Sequence, residues 1–148
     1  MNLHSLAPSL HVTDQLVPTD IPALKKAGIS SVICNRPDGE QPDQPDHLAL
    51  QAACSRAGLG FAYLPVVPGG ITDGHVQQFG VLLEQLPAPI VAYCRTGTRS
   101  TSLWALSQVR NGGATPEQVL SIAGEAGYDL SSLASRLRGA LFRCLTAN

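Results

Sequence analysis

Short apolar runs alternate with segments of helical periodicity along the first two-thirds of the chain. Each run is short enough to be a buried strand, and the runs are Leu10–Thr13, Ser30–Cys34, Phe61–Leu64 and Pro89–Tyr93. Apolar residues at helical spacing lie between them, in Ile21–Ala27, Asp46–Ala57 and Val76–Leu86. Helical segments follow, over Thr101–Val109, from Thr115 onward and over Ser131–Leu145. This order predicts an α/β fold with a mostly parallel central sheet flanked by helices.

Local signals mark the ends of several of these elements. Gly28 can close the first helix in the left-handed conformation, and Gly58 ends the second helix. Thr115 and Gln118 have the spacing of a capping box. The segment between residues 35 and 45 is rich in proline and is predicted to be a loop. We expect its acidic residues, Glu40 among them, to be solvated.

Length, charge and composition limit the possible classes of protein. The 148 residues suit one domain, residues 1–148. Charged residues make up only 14% and the net charge is -1 without a basic stripe, so a nucleic-acid partner is not expected. We find neither a signal peptide nor an apolar stretch long enough for a bilayer, and we expect a cytoplasmic protein without a membrane partner. Irregular cysteine and histidine spacing argues against disulfides, a metal site or another cofactor.

The most apolar predicted strand, Pro89–Tyr93, is followed by a cysteine and a segment rich in anion-binding groups. Ligands of α/β sheets bind at the carboxyl ends of strands, and the N-terminus of the next helix attracts anions. Gly97 lets the backbone approach a ligand closely, and Arg99 can hold an oxyanion with two parallel N–H bonds. We therefore expect Cys94 and Arg99 to be catalytic. The expected substrate-binding residues are Arg95, Thr96, Gly97, Thr98 and Ser100.

This loop resembles the signature loop of cysteine-dependent protein phosphatases, in the order strand, Cys-x-x-Gly, Arg, Ser, helix. Ser31–Pro37 and Phe61–Val66 are also similar to strand ends of compact dual-specificity phosphatases, and the resemblance extends from about Leu10 to Phe142. More specifically, the chain resembles a bacterial phosphatase-like domain. That domain occurs alone or fused to persulfide dioxygenase-type or β-lactamase-like hydrolases and sulfide-oxidising enzymes. The resemblance implies the dual-specificity phosphatase-like fold and a functional link to those enzymes.

Three features depart from the phosphatase pattern. Four residues separate Cys94 from Arg99, where those phosphatases have five. Tyr93 stands where they usually have histidine. Their general acid is an aspartate on the loop after the preceding strand, but the matching stretch Val66–Gly70 has no acid. Asp73 is the nearest candidate, and we expect it mainly to complement the dipole of the helix that begins there.

The string Tyr-Cys-Arg-Thr-Gly-Thr-Arg-Ser instead resembles the six-residue active loop of rhodaneses. That resemblance implies a sulfurtransferase, whose sulfite leaving group needs no proton donor. We expect Cys94 to take sulfane sulfur from thiosulfate or glutathione persulfide, and a thiol or cyanide to remove it. One alternative is a cysteine-dependent tyrosine or dual-specificity phosphatase. The other is a domain that only binds anions or phosphoproteins, against which the nucleophile beside Arg99 argues.

The remaining cysteines have simpler interpretations. Cys34 ends a strand near Cys94 and is expected to be a core residue, the alternative being a thiol that resolves a persulfide as a disulfide. Cys54 and Cys144 lie on apolar helix faces and are expected to pack in the core.

Overall fold

The computed structural model describes residues 1–146. Within them the strands are His4–Ala7 (β1), Leu10–Thr13 (β2), Ser31–Cys34 (β3), Gly60–Tyr63 (β4) and Ile90–Tyr93 (β5). The α-helices are Ile21–Lys26 (α1), His47–Ala57 (α2), Asp73–Gln85 (α3), Thr98–Arg110 (α4), Pro116–Glu125 (α5) and Ala134–Thr146 (α6). Short 3₁₀ helices at Pro18–Asp20 and Ser131–Leu133 precede α1 and α6.

The strands form one sheet in the order β1-β2-β5-β3-β4. The β1–β2 pair is antiparallel, and all other pairs are parallel. This arrangement confirms the predicted α/β fold with a mostly parallel sheet. The strand β5 is buried along its whole length and lies between β2 and β3. Because β2, β3, β4 and β5 run in the same direction, the segments that follow them meet at one edge of the sheet.

Helices cover both faces of the sheet and form two hydrophobic cores. Alternate residues of a strand point to opposite faces, so Ala92 of β5 belongs to one core and Tyr93 to the other. The first core contains buried side chains of α3, α4, α5 and α6. The second contains buried side chains of α1 and α2. The site at the strand ends is thus built on a sheet that is packed on both sides.

Two elements differ from the sequence-based expectation. The strand β1 was not predicted, because only Leu6 of its four residues is buried and its apolar pattern is weak. Its pairing with β2 comes from the chain reversal between them. Helix α4 begins at Thr98 rather than Thr101, because Gly97 at φ +99° is its N-cap and turns the chain into the helix directly. The predicted Thr115 capping box is present on α5. No helix within residues 1–146 is long and apolar enough to cross a membrane.

Candidate active site

Residues that follow three parallel strands converge around the predicted cysteine loop. Cys94 follows β5, Asn35 and Arg36 follow β3, and Gln15 lies two residues beyond β2. The backbone joins them directly, because the Asn35 amide donates to the Tyr93 carbonyl at 2.8 Å. The Gln15 amide donates a longer bond of 3.4 Å to the carbonyl of Arg95. The candidate site therefore has a floor made from several strands.

Cys94 lies at the base of the loop and is only 1% exposed. Its Sγ accepts a hydrogen bond from the Gly97 amide at 3.1 Å. This amide belongs to the N-cap residue of α4, so the sulfur faces the positive end of the helix dipole. Both interactions place partial positive charge beside the sulfur. The structure thus places the predicted nucleophile where a negative charge is stabilised.

Arg99 is fixed by a carboxylate from a distant part of the chain. Its Nη1 and Nη2 donate to the two carboxylate oxygens of Glu40 at 2.7 and 2.9 Å. Nη1 also donates to the Val66 carbonyl at 2.8 Å. These bonds leave Nε–H and one N–H of Nη2, which point in parallel along the next edge of the guanidinium. That free edge can bind two oxygens of a tetrahedral oxyanion.

Glu40 corrects the expectation that the acidic residues of its loop are solvated. Its side chain is only 18% exposed, and it also accepts a 2.9 Å bond from Nε of Arg36. The Arg99 hydrogen bond, with help from Arg36, lowers the pKa of Glu40 below its usual value although burial acts in the opposite direction. Sequence reasoning missed this residue because only its spacing from Arg36 hints at the contact.

The ionisation of Arg99 follows from the same neighbours. Burial acts to lower the pKa of Arg99, but the Glu40 hydrogen bond and the nearby charge of Cys94 outweigh it and raise the pKa. Arg36 is buried and donates through Nη1 to the Gln15 side chain at 2.9 Å. The two arginines and one carboxylate therefore form a charged network beside the thiol, with positive charge in excess.

Ser100 takes a different place from the one expected of a substrate-binding hydroxyl. It is fully buried, and its Oγ donates to Oδ1 of Asn35 at 2.8 Å. The same Asn35 side chain donates to the Leu64 carbonyl at 3.0 Å. Asn35 thus ties the start of α4 to the ends of β3 and β4. Ser100 supports the loop from below, because its hydroxyl is already engaged in this network.

Tyr128 closes the loop from the other side. Its hydroxyl donates to the Thr96 carbonyl at 3.3 Å. Its ring packs so closely on Gly97 that a Cβ added there would lie 2.9 Å from the ring carbon Cζ. Gly97 is therefore required twice, by its positive φ and by the ring above it. The predicted need for glycine at this position agrees with that geometry.

A cavity of about 460 Å³ opens beside the loop. The predicted residues Arg95, Thr96, Thr98 and Arg99 form one wall of it. The rest of the lining comes from α6 with the segments before it, and from the loop after β4. The volume lies in the range of sites for small ligands. Within residues 1–146 no group of three His, Cys, Asp or Glu side chains could hold a metal ion.

The carboxylate of Asp73 is directed to α6. Its Oδ2 forms an ion pair with Nη1 of Arg143 at 3.1 Å, and its Oδ1 forms one with Nη2 of Arg136 at 3.5 Å. The side chain of Asp73 is 55% exposed. Arg136 lines the cavity, whereas Asp73 is not among the lining residues. Asp73 is the first residue of α3, which agrees with the expected role at the helix N-terminus.

The structure buries Cys34 and Cys54 in the core that faces α1 and α2. Burial raises the pKa of each thiol to about 11. The Cys34 thiol donates to the Arg36 carbonyl at 3.4 Å. This environment matches the core interpretation of both residues. Cys144 is only half-buried, on α6.

Comparison with known proteins places this geometry in a phosphatase-like fold. A crystal structure of a candidate phosphatase from Neisseria meningitidis is 34% identical, superimposes with a TM-score of 0.86, and covers 95% of this chain and 99% of its own. The structure of TpbA from P. aeruginosa in complex with pTyr is 17% identical with a TM-score of 0.67, over 99% of this chain and 91% of its own. The second likeness concerns the fold alone.

These likenesses contradict the predicted sulfurtransferase. They also contradict the predicted sulfur donors, thiosulfate or glutathione persulfide, and the predicted acceptors, a thiol or cyanide. The predicted link to sulfide oxidation is contradicted as well. The prediction rested on a six-residue string and on the missing acid after β4, whereas the chain as a whole matches phosphatase-like proteins. The spacing of a short loop does not determine the reaction, because the surrounding chain supplies Glu40 and the cavity walls.

The sequence relatives agree with the structural ones. The "Beta-lactamase hydrolase-like protein" of Xylella fastidiosa strain Temecula1 is 35% identical over 113 residues, which are 76% of this chain and 26% of the relative. The chain thus spans about a quarter of the length of the curated relatives it matches. The family model of the phosphatase-like domain of Beta-lactamase hydrolase-like proteins matches residues 2–119. The chain belongs to this family of phosphatase-like domains.

Proposed function

We propose that the protein is a phosphatase that hydrolyses phosphate monoesters through a phosphocysteine at Cys94. The observation that carries the proposal is the pairing of two groups. Cys94 Sγ accepts a hydrogen bond from the N-cap amide of α4. Glu40 binds one edge of the Arg99 guanidinium, which leaves another edge free. A thiolate nucleophile beside a fixed oxyanion clamp is what phosphoryl transfer to sulfur requires.

Binding of the phosphoryl group would use the loop and the start of α4. The free edge of Arg99 binds two phosphoryl oxygens, and the N-terminal amides of α4 donate to the third. Arg95 adds positive charge at the cavity wall. Because Glu40 holds Arg99 before the substrate arrives, little side-chain order has to be created on binding.

The reaction then has two steps. The Cys94 thiolate attacks phosphorus, the bond from phosphorus to the ester oxygen breaks, and the leaving oxygen takes up a proton. Water next attacks the phosphocysteine, the S–P bond breaks, and inorganic phosphate leaves with the thiolate restored. Negative charge that develops on the equatorial oxygens in both steps is stabilised by Arg99 and the helix amides.

The cavity favours esters of aromatic alcohols. Pro68, Ile71 and Leu133 line the walls next to the cysteine loop and offer an apolar surface for a ring. The pTyr bound by the structural relative TpbA is an ester of this kind. We therefore propose phosphotyrosine or a similar aryl phosphate as the substrate class, in place of the small sulfur compounds.

The test compares phosphate release from p-nitrophenyl phosphate, a phosphotyrosine peptide and a phosphoserine peptide. We expect turnover of the two aryl esters to exceed that of the phosphoserine peptide. In Cys94→Ser the rate should fall by at least about 10³-fold, whereas Cys144→Ser on α6 should keep it. Acid quenching during turnover should trap a mass gain of about 80 Da on Cys94. Absence of phosphate release, or release that survives Cys94→Ser, would contradict the proposal.

The place of the protein in the cell is a separate proposal. We propose a cytoplasmic location, which is supported by the irregular cysteine spacing that suits a reducing compartment. Fractionation of the producing cells tests it, and recovery with the periplasmic fraction would contradict it.

A further inference from the structure

Cleavage of an aryl or alkyl phosphate leaves a basic oxygen that needs a proton. The loop between β4 and α3 holds no Asp or Glu, and Asp73 at its end is paired with Arg136 and Arg143. Neither this loop nor Asp73 therefore offers an unpaired carboxyl group that could donate the proton. Glu40 does not supply it, because its two oxygens are both bound to Arg99.

One carboxylic acid lines the described cavity, and it is Asp129. It lies in the segment that joins α5 to the 3₁₀ helix before α6, and it lines the same cavity as Arg95 and Arg99. Its side chain is exposed. The leaving group departs opposite the nucleophile, so a proton donor for its oxygen has to lie in a part of the cavity lining outside the cysteine loop, as Asp129 does.

The segment is fixed to the cysteine loop by the residue next to Asp129. Tyr128 is buried, donates to the Thr96 carbonyl at 3.3 Å and packs on Gly97. The backbone that carries Asp129 is therefore packed directly beside the cysteine loop.

Asp129 also has a structural contact that must be separated from a chemical role. Its Oδ1 accepts a hydrogen bond of 2.9 Å from the amide of Ser131, the first residue of the 3₁₀ helix. The Ser131 side chain adds a second hydrogen bond to the same carboxylate. The bonds from Ser131 lower the pKa of Asp129, and a phosphate dianion bound beside it would act in the opposite direction.

We propose that Asp129 is the general acid and base of the reaction, a role that rests on the proposed phosphatase function. In the first step the bond from phosphorus to the ester oxygen breaks, and this oxygen takes the proton of the Asp129 carboxyl group. In the second step the Asp129 carboxylate accepts a proton from the water that attacks the phosphocysteine. The S–P bond then breaks, the thiolate and phosphate separate, and Asp129 is protonated again.

The test is the leaving-group dependence of Asp129→Asn, which keeps an oxygen for the Ser131 amide. At about pH 5.5, kcat is measured on phenyl phosphate, whose leaving group is strongly basic, and on p-nitrophenyl phosphate, whose leaving group is weakly basic. We expect a loss of about 10²–10⁴-fold on phenyl phosphate and a much smaller loss on the nitrophenyl ester. The ratio of the two rates is unaffected by the fraction of folded protein, so poor folding cannot imitate the result.

Asp73→Asn is the matched control and should leave that ratio unchanged. An unchanged ratio in Asp129→Asn, or a changed ratio in Asp73→Asn, would overturn the role of Asp129 while the phosphatase function stands. Failure of the unaltered protein to release phosphate from either ester would overturn the proposed function, and the role of Asp129 with it. The two failures are therefore distinguishable.

Discussion

Glu40 binds the guanidinium of Arg99 with both carboxylate oxygens, at 2.7 and 2.9 Å, although 59 positions separate the two residues. The loop after β3 carries Glu40, and the first turn of α4 carries Arg99. Within residues 1–146 the contact occupies one edge of the Arg99 guanidinium, and the edge formed by Nε and Nη2 can bind an oxyanion. Glu40 is thus a part of the site that lies outside the cysteine loop.

The charge of Glu40 should stabilise the fold in a pH-dependent way. Its pKa is lowered from the ordinary value of 4.5 by Arg99 and then Arg36, against burial. A lowered pKa in the folded state gives stability that is present above the unfolded value and lost as pH falls through the folded one. We expect Glu40→Gln to lower the free energy of unfolding at pH 7 by about 1–3 kcal/mol.

Urea unfolding between pH 7 and pH 3 checks this expectation. The difference between the unaltered protein and Glu40→Gln should shrink as the pH falls below the usual value of a glutamate. The exposed Glu84 lies on α3 and provides the control, since Glu84→Gln should give no such trend. A difference that stays constant across the range would show that the Glu40 charge does not stabilise the fold.

Replacement of Arg99 by lysine should retain a positive charge and lose the planar fork. Lysine cannot bind Glu40 with two parallel bonds and a phosphoryl group with two more. We expect kcat/KM for an aryl phosphate to fall by about 10²–10³-fold. Arg138 is exposed on α6, and Arg138→Lys should behave like the unaltered protein. Equal rates for the two variants would remove Arg99 from the proposed mechanism.

Gly97 and Gly28 both have positive φ, but only Gly97 has a ring above it. The φ values are +99° and +91°, and a Cβ at Gly28 would meet nothing within 4 Å. The φ strain of an alanine is about 1–2 kcal/mol at either position, and the Tyr128 ring adds an overpacking cost of about 1–3 kcal/mol at Gly97. In urea unfolding, Gly97→Ala should therefore lose more stability than Gly28→Ala. Similar losses would mean that the ring moves aside.

The thiols should divide into reactive and protected sets. Because burial raises the pKa of Cys34 and Cys54 to about 11, neither should react with iodoacetamide at pH 7.5 in the folded protein. The half-buried Cys144 serves as the positive control, and denaturant should expose all four thiols. Peptide mapping identifies which cysteines carry the label. Rapid labelling of Cys34 in the folded protein would show that its strand end opens, which the buried position argues against.

The elements that depend on local chemistry could be predicted from the sequence. The run that became β5 is apolar, so it is buried between two other strands. Gly97, three residues after Cys94, permits the positive φ at the N-cap of α4. These features involve neighbours in the chain, and hydrophobic periodicity and backbone preferences report on neighbours. The parallel sheet followed from the alternation of strands and helices for the same reason.

The distant groups that surround the thiol are brought there by the folding of the whole chain. The contacts of Glu40 with Arg99 and of Asn35 with Ser100 arise because parallel strands bring their carboxyl ends to one edge of the sheet. The position of Asp129 on the cavity depends on how α5 and α6 pack beside the loop. No periodicity records such contacts, and the sulfurtransferase prediction, which rested on the Cys94 loop and on the missing acid after β4, was wrong. Charge pairing and cavity shape are properties of the folded chain, because they depend on distances that the sequence does not contain.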